Sequence, residues 1–307
     1  MDDFPAAEAR ALLARAARRS VPLPGGEIAL LDFGGDGPPL LLHHANGFCK
    51  GVLALLAEAL RPRFRPFAMD ARGHGDSARP EAPGSYAWAR FAEDFAGVAE
   101  WVAAECRVAR LPLAAGHSFG GTSLLGAAKR RPDLFERIVL VDPVVPPRLE
   151  DLPPEGSQRV GSLVERASKR RHEWSSRAEA RAFFAERELF ARFHPTALDL
   201  YVLDGLRERA DGSVELKCPG AVEAAIFAGG GEVDVAALAR GVATPALWLW
   251  AALGSFSRER YRALAASMAR ARVETLVAGH LAPMERPELV AEAIVRFAAE
   301  PAEPEKG

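Results

Sequence analysis

Gly116-His117-Ser118-Phe119-Gly120-Gly121 follows the apolar run Leu113 to Ala115 and leads into Thr122-Ser123-Leu124-Leu125, a small and apolar segment suited to a buried helix. A serine between glycines at such a strand-to-helix junction fits G-x-S-x-G. There the backbone turns so sharply that it needs small neighbours, and the hydroxyl is held out above a sheet. A glycine-rich turn with an incidental serine is the bland alternative, and a phosphate loop is excluded by the absence of its lysine and spacing. Ser118 is the candidate nucleophile.

Outward from this turn, short apolar runs alternate with amphipathic segments. Strands are expected at Ile28 to Phe33, Leu40 to Leu42, Pro66 to Met69, Leu113 to Ala115 and Ile138 to Val141. The runs are continuous, as in parallel strands buried on both faces, so the class is α/β: a mostly parallel central sheet flanked by helices. Helices are expected at Val52 to Leu60, Phe91 to Glu105 and Thr122 to Arg130, the last stopping before Pro132. Ligands of such sheets bind beside the carboxyl ends of the strands.

The pattern changes after Pro143. Pro146-Pro147 and Pro153-Pro154 precede charged helical sequence carrying Trp174, Phe183, Phe184, Phe190 and Phe193, and strand-like sequence returns only at Ala246 to Trp250 and Val273 to Val277. Each of those runs leads into a helical segment, Arg258 to Ala271 and Pro287 to Ala299. This reads as one core, residues 20–142 and 241–300, interrupted by a helical cap at 143–240, whose aromatic residues are expected to wall an apolar pocket. Residues 301–307, polar and rich in Pro and Glu, read as a disordered tail.

With 49% apolar and 26% charged residues among 307, the chain has enough apolar sequence for a large core, which excludes disorder and coiled coil. Lys and Arg total 39 against 41 Asp and Glu, a net charge of −2, which leaves no basic excess for nucleic acid or anionic lipid. A small-molecule substrate is the expected partner, with neither nucleic acid nor membrane. Cys49, Cys106 and Cys218 are scattered and odd in number, fitting neither a disulfide framework nor a zinc site. The N-terminal Ala/Leu stretch is broken by Arg10, Arg15, Arg18 and Arg19, so no signal-peptide core is read there, and the expected compartment is the cytoplasm.

A general base beside Ser118 must accept a proton and later return it, for which imidazole is suited near neutral pH. His280 follows a strand-like run and a turn glycine in Val277-Ala278-Gly279-His280-Leu281-Ala282-Pro283-Met284-Glu285-Arg286-Pro287. His172 and His194 fall in the insertion and lack that strand-end context. Adjacent His43 and His44 leave a strand in opposite directions, and no further cluster completes a metal site around them. No metal and no cofactor is therefore expected, and no dinucleotide fingerprint is present.

His44-Ala45-Asn46-Gly47-Phe48, Asp70-Ala71-Arg72-Gly73-His74-Gly75-Asp76-Ser77, the serine turn and the His280 loop occur in that order. On these four landmarks the chain resembles the α/β-hydrolase superfamily from about Ile28 to Ala299, outside the insertion. The resemblance implies Ser118 as nucleophile, His280 as acid/base and the Phe119 amide as one oxyanion donor. A second donor is implied in the loop after Leu42, at Asn46, or at Ala45 under a one-residue shift. Asp70 to Ser77 reads as a structural turn, and His74 is not read as catalytic.

In many members the acid follows the penultimate strand, but here Ala251-Ala252-Leu253-Gly254-Ser255-Phe256 contains no carboxylate. Some members carry it one strand earlier, where this chain has Val141-Asp142-Pro143, so Asp142 is the expected acid; a plain Asp-Pro turn is the competing reading. The expected activity is cofactor-free serine hydrolysis of small to medium apolar carboxylic esters through an acyl-enzyme. Acyltransferase, lactonase, thioesterase or carbon–carbon bond hydrolase chemistry on the same triad is the alternative. So is a ligand-binding homologue with little turnover.

Overall fold

The computed structural model describes residues 4–145 and 154–301. The chain opens with α1 (Ala7–Arg15), then β1 (Ala17–Leu23), β2 (Gly26–Asp32) and β3 (Pro39–His43). Helix and strand then alternate through α2 (Ala54–Leu60), β4 (Arg65–Met69), α3 (Trp88–Glu105), β5 (Leu113–His117), α4 (Phe119–Arg130) and β6 (Ile138–Val141). The insertion holds α5 (Pro154–Ser168), β7 (Glu173–Trp174), α6 (Arg177–Ala185), α7 (Pro195–Gly205), β8 (Leu206–Glu208), β9 (Val214–Leu216), α8 (Gly220–Gly229) and α9 (Val235–Ala239). β10 (Ala246–Ala251), α10 (Arg258–Ala266), β11 (Ala271–Leu276), α11 (Ala282–Glu285) and α12 (Pro287–Ala298) resume the alternation.

Among the described residues one sheet of eight strands runs in the order β1-β2-β4-β3-β5-β6-β10-β11. From β4 to β11 every pairing is parallel. The continuous apolar runs arise because both faces are covered. In β3, Leu40 and Leu42 join the layer of α2 and α12, whereas Leu41 joins the layer of α3, α4 and α10. Alternate residues point to opposite faces, so a strand between two helical layers needs an apolar residue at every step.

Two sequence expectations are corrected here. The segment around Ile28 to Phe33 is a strand, but β2 pairs antiparallel with both β1 and β4. The sheet also starts before residue 20, at Ala17: β1 lies at the sheet edge, and Ala17, Arg18, Arg19 and Ser20 are exposed, so no apolar run announces it. Besides its helices, the insertion carries a small antiparallel sheet, β7-β9-β8. The Pro146-Pro147 pair, Pro153 and residues 302–307 of the expected tail lie outside the described residues.

The insertion is fastened to the core by buried charge. Lys50, 1% exposed, reaches Asp70 Oδ2 and Asp76 Oδ2 at 2.7 Å each and Asp204 Oδ2, on α7, at 3.1 Å. Backbone donors complete the knot, with Lys50 N–H on Asp70 Oδ1 at 2.7 Å and Gly51 N–H on Asp204 Oδ2 at 3.0 Å. Burial disfavours the ammonium, but Asp70, Asp204 and Asp76 outweigh it and hold Lys50 above its usual range.

Candidate active site

β5 ends at His117, and Ser118 takes φ +55° and ψ −120° before α4 begins at Phe119. A non-glycine residue there is strained, and the surroundings over-determine it. Ser118 N–H donates to Val141 O at 2.9 Å, while Ser118 O accepts from Gly121 at 3.0 Å and from Val144 at 3.2 Å. The flanking glycines have a steric cause. A Cβ on Gly120 would lie 2.5 Å from His43 Nδ1 and 2.6 Å from His44 O, so only hydrogen allows α4 to approach the loop after β3. Ser123, inside α4, is buried and bonded to Phe119 O at 3.0 Å.

The residues expected to act together are brought together. Ser118 Oγ lies 2.9 Å from His280 Nε2, and His280 Nδ1 lies 2.7 Å from Asp142 Oδ2. Asp142 directly follows β6, between β5 and β10, and its own N–H donates to Leu249 O at 2.8 Å. Its Oδ1 accepts from the Ala251 N–H at 3.0 Å, so β10, which supplies no carboxylate, supplies a donor to this one. Asp142 is wholly buried and Ser118 is 5% exposed. With its Nδ1–H committed to a buried carboxylate, the imidazole presents Nε2 to the serine as an acceptor, which can remove the hydroxyl proton.

Sequence reasoning missed how the His280 loop is held. Glu285 accepts the flanking amides, Gly279 N–H at 2.7 Å and Leu281 N–H at 3.2 Å. His117 Nε2 meets the His280 carbonyl oxygen at 2.8 Å, so that nitrogen carries the proton and donates. The signal for Glu285 was in view, a lone acid five residues past the histidine; nothing in the sequence pointed to His117.

The loop after β3 is braced in the same way. His74 Nδ1 faces Arg72 O at 3.1 Å and His74 Nε2 accepts from the Gly47 N–H at 3.0 Å; His44 Nδ1 faces Ala45 O at 2.7 Å and His44 Nε2 accepts from the Ala71 N–H at 3.0 Å. These neutral imidazoles are ties between loops. Burial lowers His43 and His74 to about 4 and His117 to about 3, and holds His44 well below the usual imidazole range. Among the described residues, the backbone N–H groups of Phe119, Ala45 and Asn46 have no acceptor within the protein. The Asn46 side chain is engaged elsewhere, donating from Nδ2 to Glu223 O at 3.1 Å.

The insertion packs on this loop. Tyr201 OH donates to Gly47 O at 3.2 Å and accepts from Arg170 at 2.9 Å, and Arg170 is ion-paired with Glu223. Phe184, Phe190, Phe193 and Tyr201 pack on one another and, with Phe48, form a buried aromatic group. Its members thus supply interior to the insertion. His172 is exposed on the insertion, and His194 caps α7, accepting from Thr196 N–H. Among the described residues no group of three or more His, Cys, Asp or Glu is arranged to hold a metal, and no helix is long and apolar enough to cross a membrane. All three cysteines are free, with Cys49 and Cys218 buried.

A strand–serine–helix turn, an acid and a histidine at the carboxyl edge of a mostly parallel sheet define the class, and the chain belongs to the α/β-hydrolase family, whose model matches residues 40–293. The 2-(acetamidomethylene)succinate hydrolase of Mesorhizobium japonicum is 33% identical over 108 residues, 35% of this chain and 36% of that protein. The sequence match thus spans about a third of that relative. The crystal structure of E-2-(acetamidomethylene)succinate hydrolase superposes with a TM-score of 0.75 at 23% identity, covering 93% of this chain and 100% of that one. The thioesterase domain of the curacin biosynthetic pathway gives 0.74 at 18% identity, with 92% and 99% covered. The enol-lactonase of Burkholderia xenovorans gives 0.68 at 23% identity, with 92% and 100% covered.

Proposed function

We propose that this chain is a serine hydrolase that cleaves carboxylic esters of small to medium apolar acids through an acyl-enzyme. Ser118 Oγ bonds to the acyl carbon as His280 Nε2 takes its proton, and Asp142 fixes the imidazole tautomer and stabilises the imidazolium. Charge developing on the carbonyl oxygen is received by the Phe119 amide and a second amide, Asn46 in our assignment. His280 then protonates the departing alcohol, and water repeats the sequence to release the acid. No cofactor enters these steps. Residues 143–240 serve as the cap of a core formed by 17–142 and 241–300, and the free cysteines favour a reducing, cytoplasmic setting.

The observation that carries the reading is the unbroken line from Ser118 through His280 to Asp142, with contacts of 2.9 and 2.7 Å. A second reading uses the same residues on a lactone, a carbon–carbon bond or an acid-bearing substrate. The 33% identity to a hydrolase named for a succinate favours it. Labelling with an active-site phosphonate and mapping the modified peptide tests the nucleophile. A panel of apolar aryl esters, dicarboxylate monoesters, lactones and diketones then separates the readings, and a clear preference for dicarboxylates overturns the apolar one.

A further inference from the structure

The acid on β6 sits in an unusual backbone: Asp142 has φ +39°, a left-handed conformation for a residue with a Cβ. Its support comes from α10. Tyr261, wholly buried, places its hydroxyl 2.6 Å from Pro143 O and 3.3 Å from Asp142 Oδ1. The hydroxyl thus meets both the Pro143 carbonyl that follows the strained residue and the carboxylate oxygen that does not face His280. Packing holds the ring there: Trp248 lies 5.6 Å away, and Phe256 is stacked 6.2 Å away while its own ring meets His280 edge-on at 5.3 Å. Trp250 Nε1–H anchors the Phe256 carbonyl at 2.8 Å. The loop that holds the acid in many α/β-hydrolases here carries an aromatic bracket for an acid arriving from the neighbouring strand.

We propose that Tyr261 is a positioning residue for the triad: its hydroxyl, shared between Pro143 O and Asp142 Oδ1, holds the strained Asp142-Pro143 segment so that Oδ2 meets His280 Nδ1. This rests on the serine-hydrolase reading. Burial beside Asp142 pushes the phenol well above its usual range, so it stays a donor at any working pH. Asp142, together with Arg260 of α10, faces Tyr261, while Ser118, His117 and Asp142 face His280. A donor on Oδ1 draws charge from the carboxylate, and removing it strengthens the field that favours imidazolium.

The test compares purified wild type, Tyr261→Phe and a protein with 3,5-difluorotyrosine at position 261, using one ester that the wild type turns over and that Ser118→Ala does not. Loss of the wild-type activity requirement for Ser118 defeats the hydrolase reading itself and is seen before Tyr261 is touched. With that reading intact, Tyr261→Phe should lower kcat by about tenfold or more at a KM within about twofold. Its acid limb of kcat/KM should move up by about half a pH unit. Difluorotyrosine, a stronger donor of nearly the same shape, should move that limb down, and it serves as the test if Tyr261→Phe does not fold. Acid limbs that coincide with wild type, or that move in the same direction in both proteins, overturn the proposal, even if Tyr261→Phe melts earlier.

Discussion

A Cβ on Gly254 would lie 3.2 Å from Asp142 Oδ2, the oxygen that receives His280 Nδ1. Two strand ends therefore converge on one imidazole nitrogen, and this chain fills the place from β6. An acid at both positions would crowd two carboxylates together, each disfavouring ionisation of the other. A glycine at 254 leaves room for the carboxylate coming from Asp142.

Asp142→Asn should lower kcat by about two to four orders of magnitude with the fold retained, because the amide cannot compensate an imidazolium and can favour the wrong tautomer. Adding Gly254→Asp should restore part of the rate, whereas Gly254→Asp alone should slow the enzyme. Steady-state kinetics on the three proteins checks this, and near-normal turnover by Asp142→Asn rejects the assignment.

Ser118→Ala should remove phosphonate labelling and lower ester turnover by about four orders of magnitude, since the residue acts as a unit with His280. Mass mapping of the labelled wild type should place the adduct on Ser118. Ser123, buried and bonded within α4, should stay unlabelled.

Lys50→Met should destabilise the protein by about 3–5 kcal/mol, because it leaves Asp70, Asp76 and Asp204 without their shared cation. Urea unfolding at neutral pH measures the loss. As pH falls and Asp70 and Asp76 bind protons, the gap between variant and wild type should narrow; a gap independent of pH would mean that the knot is not what was broken.

Stability should fall steeply below pH 6.5. His43 and His74 are lowered to about 4, His117 to about 3 and His44 well below its usual range, so between pH 6.5 and about 4 the unfolded chain binds protons that the folded one does not. Folded pKa values below unfolded ones mean stability that is present above pH 6.5 and lost on acidification. A loss of at least ~1.4 kcal/mol per pH unit between pH 6 and 5 is expected from urea titrations. His74→Gln should reduce that slope.

The buried strands and the elbow were legible because their constraints are local: an apolar residue at every position from Leu40 to Leu42 of β3 and throughout β6, and a glycine on each side of Ser118. Ser118 and His280 could be named from their strand-end contexts, Asp142 only through the resemblance to α/β-hydrolases that carry the acid one strand earlier, and the three meet at 2.9 and 2.7 Å. β1 was not legible, since an exposed edge strand needs no apolar period. Tyr261, His117 and Lys50 were not either. Their partners, Pro143, the His280 carbonyl and Asp204, are 118, 163 and 154 residues away, and one of Tyr261's and one of His117's contacts is to backbone, which a sequence does not distinguish.

The Lys50 knot also bears on the order in which this molecule assembles. Its two ends are 154 residues apart, so closing it spends loop entropy that only an already formed sheet edge and a folded α7 can recover. Such a contact is expected to form after the rate-limiting step, in which case weakening it should leave the refolding limb of a chevron nearly unchanged while raising the unfolding rate. Read kinetically, the buried lysine is a brake on unfolding, setting how long a finished molecule lasts.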